Sequence, residues 1–125
     1  WVEITYLVVP GENDTAQDIQ GLATWLSHIH PGIPLHLSRY FPAYKYDKPP
    51  TPLKTLENLR EVAREQLDYV YIGNAWKTGY ADTLCPRCGQ LLLERGALEL
   101  ERANLHQGAC PGCLRPADIV GTVWL

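Results

Sequence analysis

Residues 1–11 read WVEITYLVVPG, in which nine mostly apolar, β-branched and aromatic residues precede a proline–glycine turn. This pattern predicts a β-strand from Trp1 to Val9 that ends at the turn. Because side chains alternate across a strand, an apolar set that includes Ile4 and Tyr6 shares one face, while Glu3 and Thr5 lie on the other. We therefore expect this strand to bury one face and to keep polar groups on the opposite one.

The residues that follow repeat the alternation of strand and helix. Apolar residues at helical spacing predict a helix that Asn13 or Asp14 caps and that ends before Pro31, and a second helix that opens with Thr51 as cap. Leu56, Leu59, Ala63 and Leu67 form the apolar stripe of this second helix. Further strands are predicted over 34–39 and 69–72. The order strand, helix, strand, helix, strand with short connections favours a parallel sheet with right-handed crossovers.

A parallel sheet with a constant turn sense places both helices on one face, as in a barrel or half-barrel. The other face then displays polar side chains near the strand ends, where such folds bind ligands. These residues are Glu3, Thr5, His36 and Ser38, with Arg39 and Asn74 at the carboxyl ends. Taken singly, each is equally well explained as a solvent-facing or locally hydrogen-bonded residue, so only their grouping indicates a site.

The four cysteines form two C-x2-C knuckles, Cys85–Cys88 and Cys110–Cys113, separated by 21 residues. Two such knuckles supply four thiolates in the tetrahedral arrangement of a zinc ribbon, and the residues between them, split at Gly96, predict a hairpin. A third ribbon strand is predicted over 120–124. Structural Zn²⁺ fits four thiolates best, while a rubredoxin-like single iron, disulfides or an iron–sulfur cluster remain alternatives.

Composition excludes several classes of protein. The 125 residues carry a net charge of −3, which argues against a nucleic-acid surface, and the longest apolar stretches are too short to cross a membrane. No secretory segment opens the chain. We expect a soluble, cytoplasmic protein that contacts neither nucleic acid nor membrane. Because the sequence has no methionine and opens inside a predicted strand, we also expect it to be the C-terminal piece of a larger protein.

Several segments together resemble radical S-adenosylmethionine (SAM) enzymes similar to pyruvate formate-lyase activating enzyme, in particular the AmmeMemoRadiSam subgroup. The resemblance covers essentially the whole chain and rests on VVPGEND (8–14), LHLSRYFPAY (35–44), PPTP (49–52), YVYIGN (69–74) and TLCPRCG (83–89) with the later CPGC (110–113). It implies that residues 1–80 are the last strands and helices of a partial (βα)6 radical SAM barrel and that residues 81–125 are a four-cysteine zinc ribbon.

The resemblance further implies which residues contact cofactors. Position in the late strands assigns Thr5, His36, Ser38 and Arg39 to S-adenosylmethionine binding, although activating enzymes tend to have arginine where Thr5 stands. The C-x3-C-x2-C motif that holds the [4Fe–4S] cluster in this family is not in the sequence, and the four cysteines have a different spacing. The cluster ligands are therefore expected in an N-terminal remainder of the same barrel, and this segment alone is expected to be catalytically inactive.

Two other functions compete with this interpretation. The chain could be a zinc-ribbon interaction module on a small α/β support that binds a protein partner or substrate through aromatic residues, although the aromatic residues of the loop are also explained by internal packing. The candidate residues for this surface are Tyr40, Phe41, Tyr44, Tyr46 and Trp76. Alternatively, an iron centre held by Cys85, Cys88, Cys110 and Cys113 would indicate electron transfer.

Overall fold

The chain folds into two units, of which the first spans Trp1–Ala75 and the second begins at Trp76. The structure, a computed structural model, describes residues 1–121. Strands and helices alternate in the first unit as predicted. Its elements are β1 (Ile4–Val8), α1 (Ala16–Ile29), β2 (Leu35–Arg39), α2 (Leu53–Arg64) and β3 (Val70–Gly73).

The three strands of the first unit form a parallel sheet in the order β1-β2-β3. The register aligns Thr5 with His36 and His36 with Tyr71. Helices α1 and α2 pack against each other, and α2 packs against β2 and β3, so both helices cover the same face. The core lies between that face and the helices, and the stripe of four apolar residues predicted for the second helix is buried. The predicted parallel sheet is confirmed.

Both predicted helix caps are wrong. Thr15 caps α1, because its Oγ1 accepts a hydrogen bond from the backbone N–H of Asp18 at 3.1 Å. Asn13 instead bonds back to the end of β1, where its Oδ1 accepts from the backbone N–H of Val9 at 2.7 Å. Helix α2 has Pro52 at its N-cap position without a side-chain cap. The side chain of Thr51 does not cap α2 but forms hydrogen bonds with Val8 and Tyr40.

Thr51 joins three segments at the carboxyl end of the sheet. Its fully buried hydroxyl donates to the backbone carbonyl of Val8 at 2.6 Å and accepts from the backbone N–H of Tyr40 at 3.0 Å. These bonds satisfy two main-chain groups at strand ends, which would otherwise be costly to bury. Thr51 thus fixes the start of α2 against the ends of β1 and β2.

A second network holds the loop after β2 against the loop after β1. Lys48 Nζ donates to the Glu12 carboxylate at 2.6 Å and to the Pro10 carbonyl at 3.0 Å, and the Tyr46 hydroxyl also donates to Glu12 at 2.8 Å. The hydrogen bonds from Lys48 and Tyr46 stabilise the carboxylate and lower the pKa of Glu12 below its usual range. The long loop over 40–50 is therefore anchored at the carboxyl end of the parallel sheet.

The second unit contains an antiparallel sheet in the order β4-β5-β6, from β4 (Thr83–Leu84), β5 (Leu91–Arg95) and β6 (Leu100–Ala103). The predicted hairpin around Gly96 is confirmed as β5 and β6. The third strand is β4, which precedes the first knuckle in sequence. The strand predicted over 120–124 falls mainly on residues 122–124, outside the described residues.

The described residues form a small α/β arrangement with two sheets and two helices. They do not show the predicted (βα)6 barrel, because three parallel strands leave the sheet open at both edges. Barrel membership remains a prediction. Neither described helix is long and apolar enough to cross a membrane.

Candidate functional site

The two cysteine knuckles have the same backbone structure. In the first, the N–H of Cys85 donates to the carbonyl of Gln90, and the N–H of Gly89 donates to the carbonyl of Cys85, both at 2.8 Å. In the second knuckle, the N–H of Cys110 donates to the carbonyl of Arg115, and the N–H of Leu114 donates to the carbonyl of Cys110, both at 2.9 Å. The chain reverses twice in the same way, and each turn directs two thiols toward one point.

The four thiol sulfurs lie within 4.8 Å of one another and could hold a metal ion. Cys85 Sγ is 3.5 Å from Cys113 Sγ, and Cys88 Sγ is 3.5 Å from Cys110 Sγ, so the nearest pairs join one knuckle to the other. In a tetrahedral zinc site with Zn–S bonds of about 2.3 Å, the sulfurs are about 3.8 Å apart. This separation lies between the shortest sulfur–sulfur distance here, 3.5 Å, and the upper limit of 4.8 Å. All four cysteines are free, so the disulfide alternative is not the arrangement seen here.

The thiols differ in acidity. Burial desolvates Cys85 and opposes ionisation, but hydrogen bonds from the backbone N–H groups of Cys88 and Arg87 and from nearby thiols outweigh this and lower the pKa of Cys85 to about 6. The backbone N–H of Gln90 favours the Cys88 thiolate, yet desolvation and the other thiols raise the pKa of Cys88 to about 12. Without metal, the cluster thus holds both a thiolate and a thiol at neutral pH.

The sulfur cluster is part of the core of the second unit. Cys85 and Cys110 are buried together with Leu92 and Leu93 of β5. Around these four pack partly buried apolar residues, namely Leu100, Ala103, Leu105, Cys113, Ala117 and Ile119. Cys88 stays exposed, so one side of the site faces solvent. A metal held here would connect the knuckles to the hairpin that supplies the rest of the core.

Gly112 of the second knuckle lies beside the side chain of Gln90 in the first. A Cβ on Gly112 would collide with Oε1 of Gln90, the residue that accepts from Cys85 in the first knuckle. The same Cβ would lie 3.7 Å from Cys88 Sγ. A side chain at this position would therefore displace the flexible end of Gln90, which lies next to the sulfur cluster.

A second group of candidate residues lies on the sheet face that the helices leave uncovered. Alternation and register place Thr5, His36 and Tyr71 in one row across the three strands, and Ser38 in the next row toward the carboxyl ends. His36 Nε2 is 2.8 Å from Glu3 Oε2, and the His36 ring stacks on Tyr71 with centroids 5.1 Å apart. The structure thus brings Thr5, His36 and Ser38 to one face, as the sequence predicts.

Arg39 is not brought to this face. Its position in β2 has the same parity as Leu35 and Leu37, whose side chains face the helices. Its Nε donates to the carbonyl of Thr51 at 2.8 Å, and its guanidinium lies 4.8 Å from the centroid of the Phe41 ring. The structure gives Arg39 a role in anchoring the loop, which separates it from the other three predicted cofactor contacts.

The aromatic residues predicted to contact a partner do not form a uniform group. Tyr40 is buried, and its hydroxyl donates to the carbonyl of Tyr46, whose ring it meets edge to face. Tyr44 and Trp76 are exposed, at 94% and 81%. Part of the predicted surface is therefore internal packing of the loop.

Sequence reasoning missed three contributors to these sites. Tyr71 was treated only as part of a strand, although its alternation with the apolar Val70 and Ile72 places it opposite the helices. Gln90, whose Oε1 is 3.9 Å from Cys110 Sγ, follows the knuckle glycine without a distinctive pattern. The third is Trp1, whose Nε1 donates to Glu3 Oε1 just before β1; the i, i+2 spacing of these residues in an extended segment could have indicated this contact.

Comparison with known proteins gives one informative similarity. No protein-family model matches the chain, and no solved structure matches it. The uncharacterized protein MJ0808 of Methanocaldococcus jannaschii is 42% identical over 125 aligned residues, which make up 96% of this chain. The chain spans 38% of the length of that protein. The similarity therefore extends over both units and occupies a minor part of a longer archaeal protein.

Proposed function

We propose that the second unit is a zinc ribbon in which Cys85, Cys88, Cys110 and Cys113 hold a structural Zn²⁺. The observation that carries this proposal is the meeting of four sulfurs from two equivalent knuckles within 4.8 Å. Four sulfur ligands leave no position for a substrate or water, which is typical of a structural rather than a catalytic zinc site. The metal stabilises a unit whose own core is small.

Metal analysis of the purified protein tests this proposal. We expect one zinc per chain and no visible absorption, and each Cys→Ser substitution should abolish stoichiometric zinc binding. His106→Ala is the matched control, because His106 is a metal-binding residue type in the same unit but lies outside the sulfur cluster. A coloured protein with one iron per chain would instead support electron transfer, and an unchanged zinc content in the cysteine variants would contradict the proposal.

For the first unit, we propose that the sheet is the last part of a radical SAM barrel similar to that of pyruvate formate-lyase activating enzyme. The gathering of Thr5, His36 and Ser38 on the uncovered face of a parallel sheet supports this. These side chains would form one wall of the S-adenosylmethionine and substrate site, while a [4Fe–4S] cluster held by an N-terminal remainder would supply the reductive chemistry. The surrounding sheet would orient the cofactor and limit access of water.

The edge of β1 supports the existence of such a remainder. Ile4 donates its backbone N–H to Pro34 at the start of β2, so the N–H groups of Thr5 and Leu7 point to the other side, where no described strand pairs with β1. Proteins protect open strand edges with charges, prolines or bulges, or cover them with another element. A preceding parallel strand of the same protein would satisfy these groups.

Helix α1 presents an apolar stripe that a preceding helix would cover. Leu22, Trp25 and Ile29 lie about 90° around the helix from its buried residues at 100° per residue. Trp25 and Ile29 are 60% and 59% exposed, so no described element buries this flank of the helix. A βα unit next to β1 would bury this stripe and extend the sheet in one step.

Hydrogen exchange tests this part of the proposal. In the 125-residue chain alone, the amides of Thr5 and Leu7 should exchange fast, whereas in the longer protein they should be protected. The amide of Tyr6, which faces β2, is the internal control and should be protected in both. Equal exchange of Thr5 and Leu7 in the two proteins would contradict a preceding strand at this edge.

The cofactor assignment needs the longer protein with its cluster. We expect it to bind S-adenosylmethionine and to cleave it reductively, and His36→Leu and Ser38→Ala to weaken cofactor binding. Ser27→Ala on α1 is the control, because Ser27 only donates to the backbone of its own helix. A longer protein that holds no iron–sulfur cluster and binds no S-adenosylmethionine would favour the alternative, a zinc-ribbon module that binds a protein partner.

A further inference from the structure

The carboxylate of Glu3 joins two ring N–H groups on the uncovered sheet face. Its Oε2 lies 2.8 Å from His36 Nε2, and its Oε1 accepts from Trp1 Nε1 at 2.7 Å. An ionised carboxylate can only accept hydrogen bonds, so the shared proton belongs to the imidazole nitrogen. Neutral His36 is therefore held as the tautomer that carries its proton on Nε2.

The His36 ring is also held in plane. Tyr71, its register neighbour on β3, stacks on it with centroids 5.1 Å apart and an interplanar angle of 28°. The hydrogen bond to Glu3 acts at one edge of the ring and the stack acts on its face, so together they restrict both rotation and displacement. Within residues 1–121, no group donates a hydrogen bond to Nδ1 of His36.

We infer that Glu3 is a positioning residue that fixes the tautomer of His36 and makes its Nδ1 the hydrogen-bond acceptor for a ligand on the uncovered face. The ligand class is a small polar molecule with a hydroxyl or amino donor, and the hydroxyls of Thr5 and Ser38 on the same face add further polar contacts. The identity of that ligand as S-adenosylmethionine rests on the proposed function; the role of Glu3 in setting the tautomer does not.

Long-range ¹H–¹⁵N NMR spectra of the imidazole test the tautomer directly in the ligand-free chain. Under conditions in which the spectra show a neutral His36 imidazole, we expect it to populate the Nε2–H tautomer almost alone. Glu3→Ala should produce a mixture of both tautomers. Glu61→Ala, which removes an exposed carboxylate from α2, should leave His36 unchanged. A mixture in the unmodified chain, or an unchanged spectrum in Glu3→Ala, would overturn the inference.

A binding experiment in the longer, cluster-loaded protein tests the consequence for a ligand. We expect Glu3→Ala to weaken S-adenosylmethionine binding by about tenfold, as for the loss of other orienting partners, and Glu61→Ala to leave it unchanged. Unchanged affinity in Glu3→Ala would overturn the positioning role. Absence of binding in the unmodified protein, with the tautomer still fixed by Glu3, would contradict the proposed function and leave the assignment of Glu3 standing.

Discussion

Gly89 and Leu114 occupy equivalent positions in the two knuckles, and both adopt the left-handed backbone conformation, with φ of 74° and 61°. Each donates the N–H that closes its turn on the first cysteine. Glycine adopts this conformation without penalty. In leucine, the Cβ atom comes too close to the following carbonyl oxygen. The second knuckle therefore forms at a local cost that the first one avoids.

Substitutions at Gly89 and Leu114 should reveal the energetic cost of the left-handed conformation. Gly89→Ala should reduce the free energy of unfolding of the metal-loaded second unit by about 1 kcal/mol, because its Cβ meets no atom and only the backbone is strained. Leu114→Gly should not destabilise it, since Leu114 is 70% exposed and loses little packing. Denaturant unfolding of both variants measures this. A larger loss in Leu114→Gly than in Gly89→Ala would contradict the assignment.

The acidity of the cysteines predicts how metal binding depends on pH. The metal-free cluster keeps Cys88 protonated at neutral pH, because its pKa is about 12, and a metal must displace that proton. Affinity should therefore rise at least tenfold per pH unit between about pH 7 and pH 9. Competition with a chromophoric chelator across this range provides the measurement. An affinity that does not change with pH would show that Cys88 is not a thiolate ligand.

At the scale of secondary-structure elements, one buried side chain links β1, the loop after β2 and α2. The Thr51 hydroxyl satisfies main-chain groups of Val8 and Tyr40, and Arg39 and Lys48 anchor the same loop by further bonds to backbone carbonyls. The loop that would border a ligand on the sheet is thereby held at the carboxyl ends of the strands, where parallel sheets bind ligands.

Removing the hydroxyl without changing the shape of the side chain isolates this contribution. Thr51→Val should destabilise the first unit by about 2 kcal/mol or more, because it leaves two buried backbone groups without partners. Thr51→Ser keeps the hydroxyl and should cost about 1 kcal/mol for the lost methyl group. Thr55→Val, on the partly exposed side of α2, is the control. Thermal unfolding compares them, and equal losses for Thr51→Val and Thr51→Ser would argue against the hydrogen bonds.

The elements themselves could be predicted, because alternation and helical spacing are local properties of the sequence. Ile4, Tyr6 and Val8 mark the buried face of β1, and the predicted apolar stripe, which runs through α2 to Leu67 just after it, is buried as expected. The cap of α1 could also have been predicted, because Thr15 and Asp18 have the local spacing of a capping motif, but the role of Thr51 could not. The hydroxyl of Thr51 serves Val8, 43 residues earlier in the chain, and such a contact is set only by the tertiary fold.

The two candidate sites also differ in how far the sequence alone predicts them. The sulfur cluster follows from spacing alone, since each knuckle turn is local and only the pairing of the two turns is tertiary. Contact between Glu3 and His36 spans 33 residues and depends on the register of two parallel strands, which no local pattern specifies. Arg39 adjoins Ser38 in sequence, yet strand alternation sends the two side chains to opposite faces.

At the scale of the whole molecule, the two units should respond differently to loss of metal. Among the described residues, the apolar cluster around the sulfurs contains four buried residues, and two of them, Cys85 and Cys110, belong to the sulfur cluster itself. Small cores of this kind depend on a metal or disulfide. The first unit has its own core of strands and helices without cysteine.

Chelation should therefore unfold the second unit alone. Hydrogen exchange should show that Leu92 and Leu93 of β5 lose protection when metal is removed, while Leu37 and Ile72 in the parallel sheet keep it. Cys88→Ser should show the same loss without chelator. Loss of protection in both units together, or in neither, would contradict independent stabilisation by metal.

Zinc X-ray absorption of the purified protein shows whether Cys85, Cys88, Cys110 and Cys113 together hold one structural zinc ion. We expect one zinc per chain surrounded by four sulfur atoms at about 2.3 Å, with no nitrogen or oxygen atom bound to the metal. A shell that contains nitrogen or oxygen, or a purified protein without stoichiometric zinc, would contradict it.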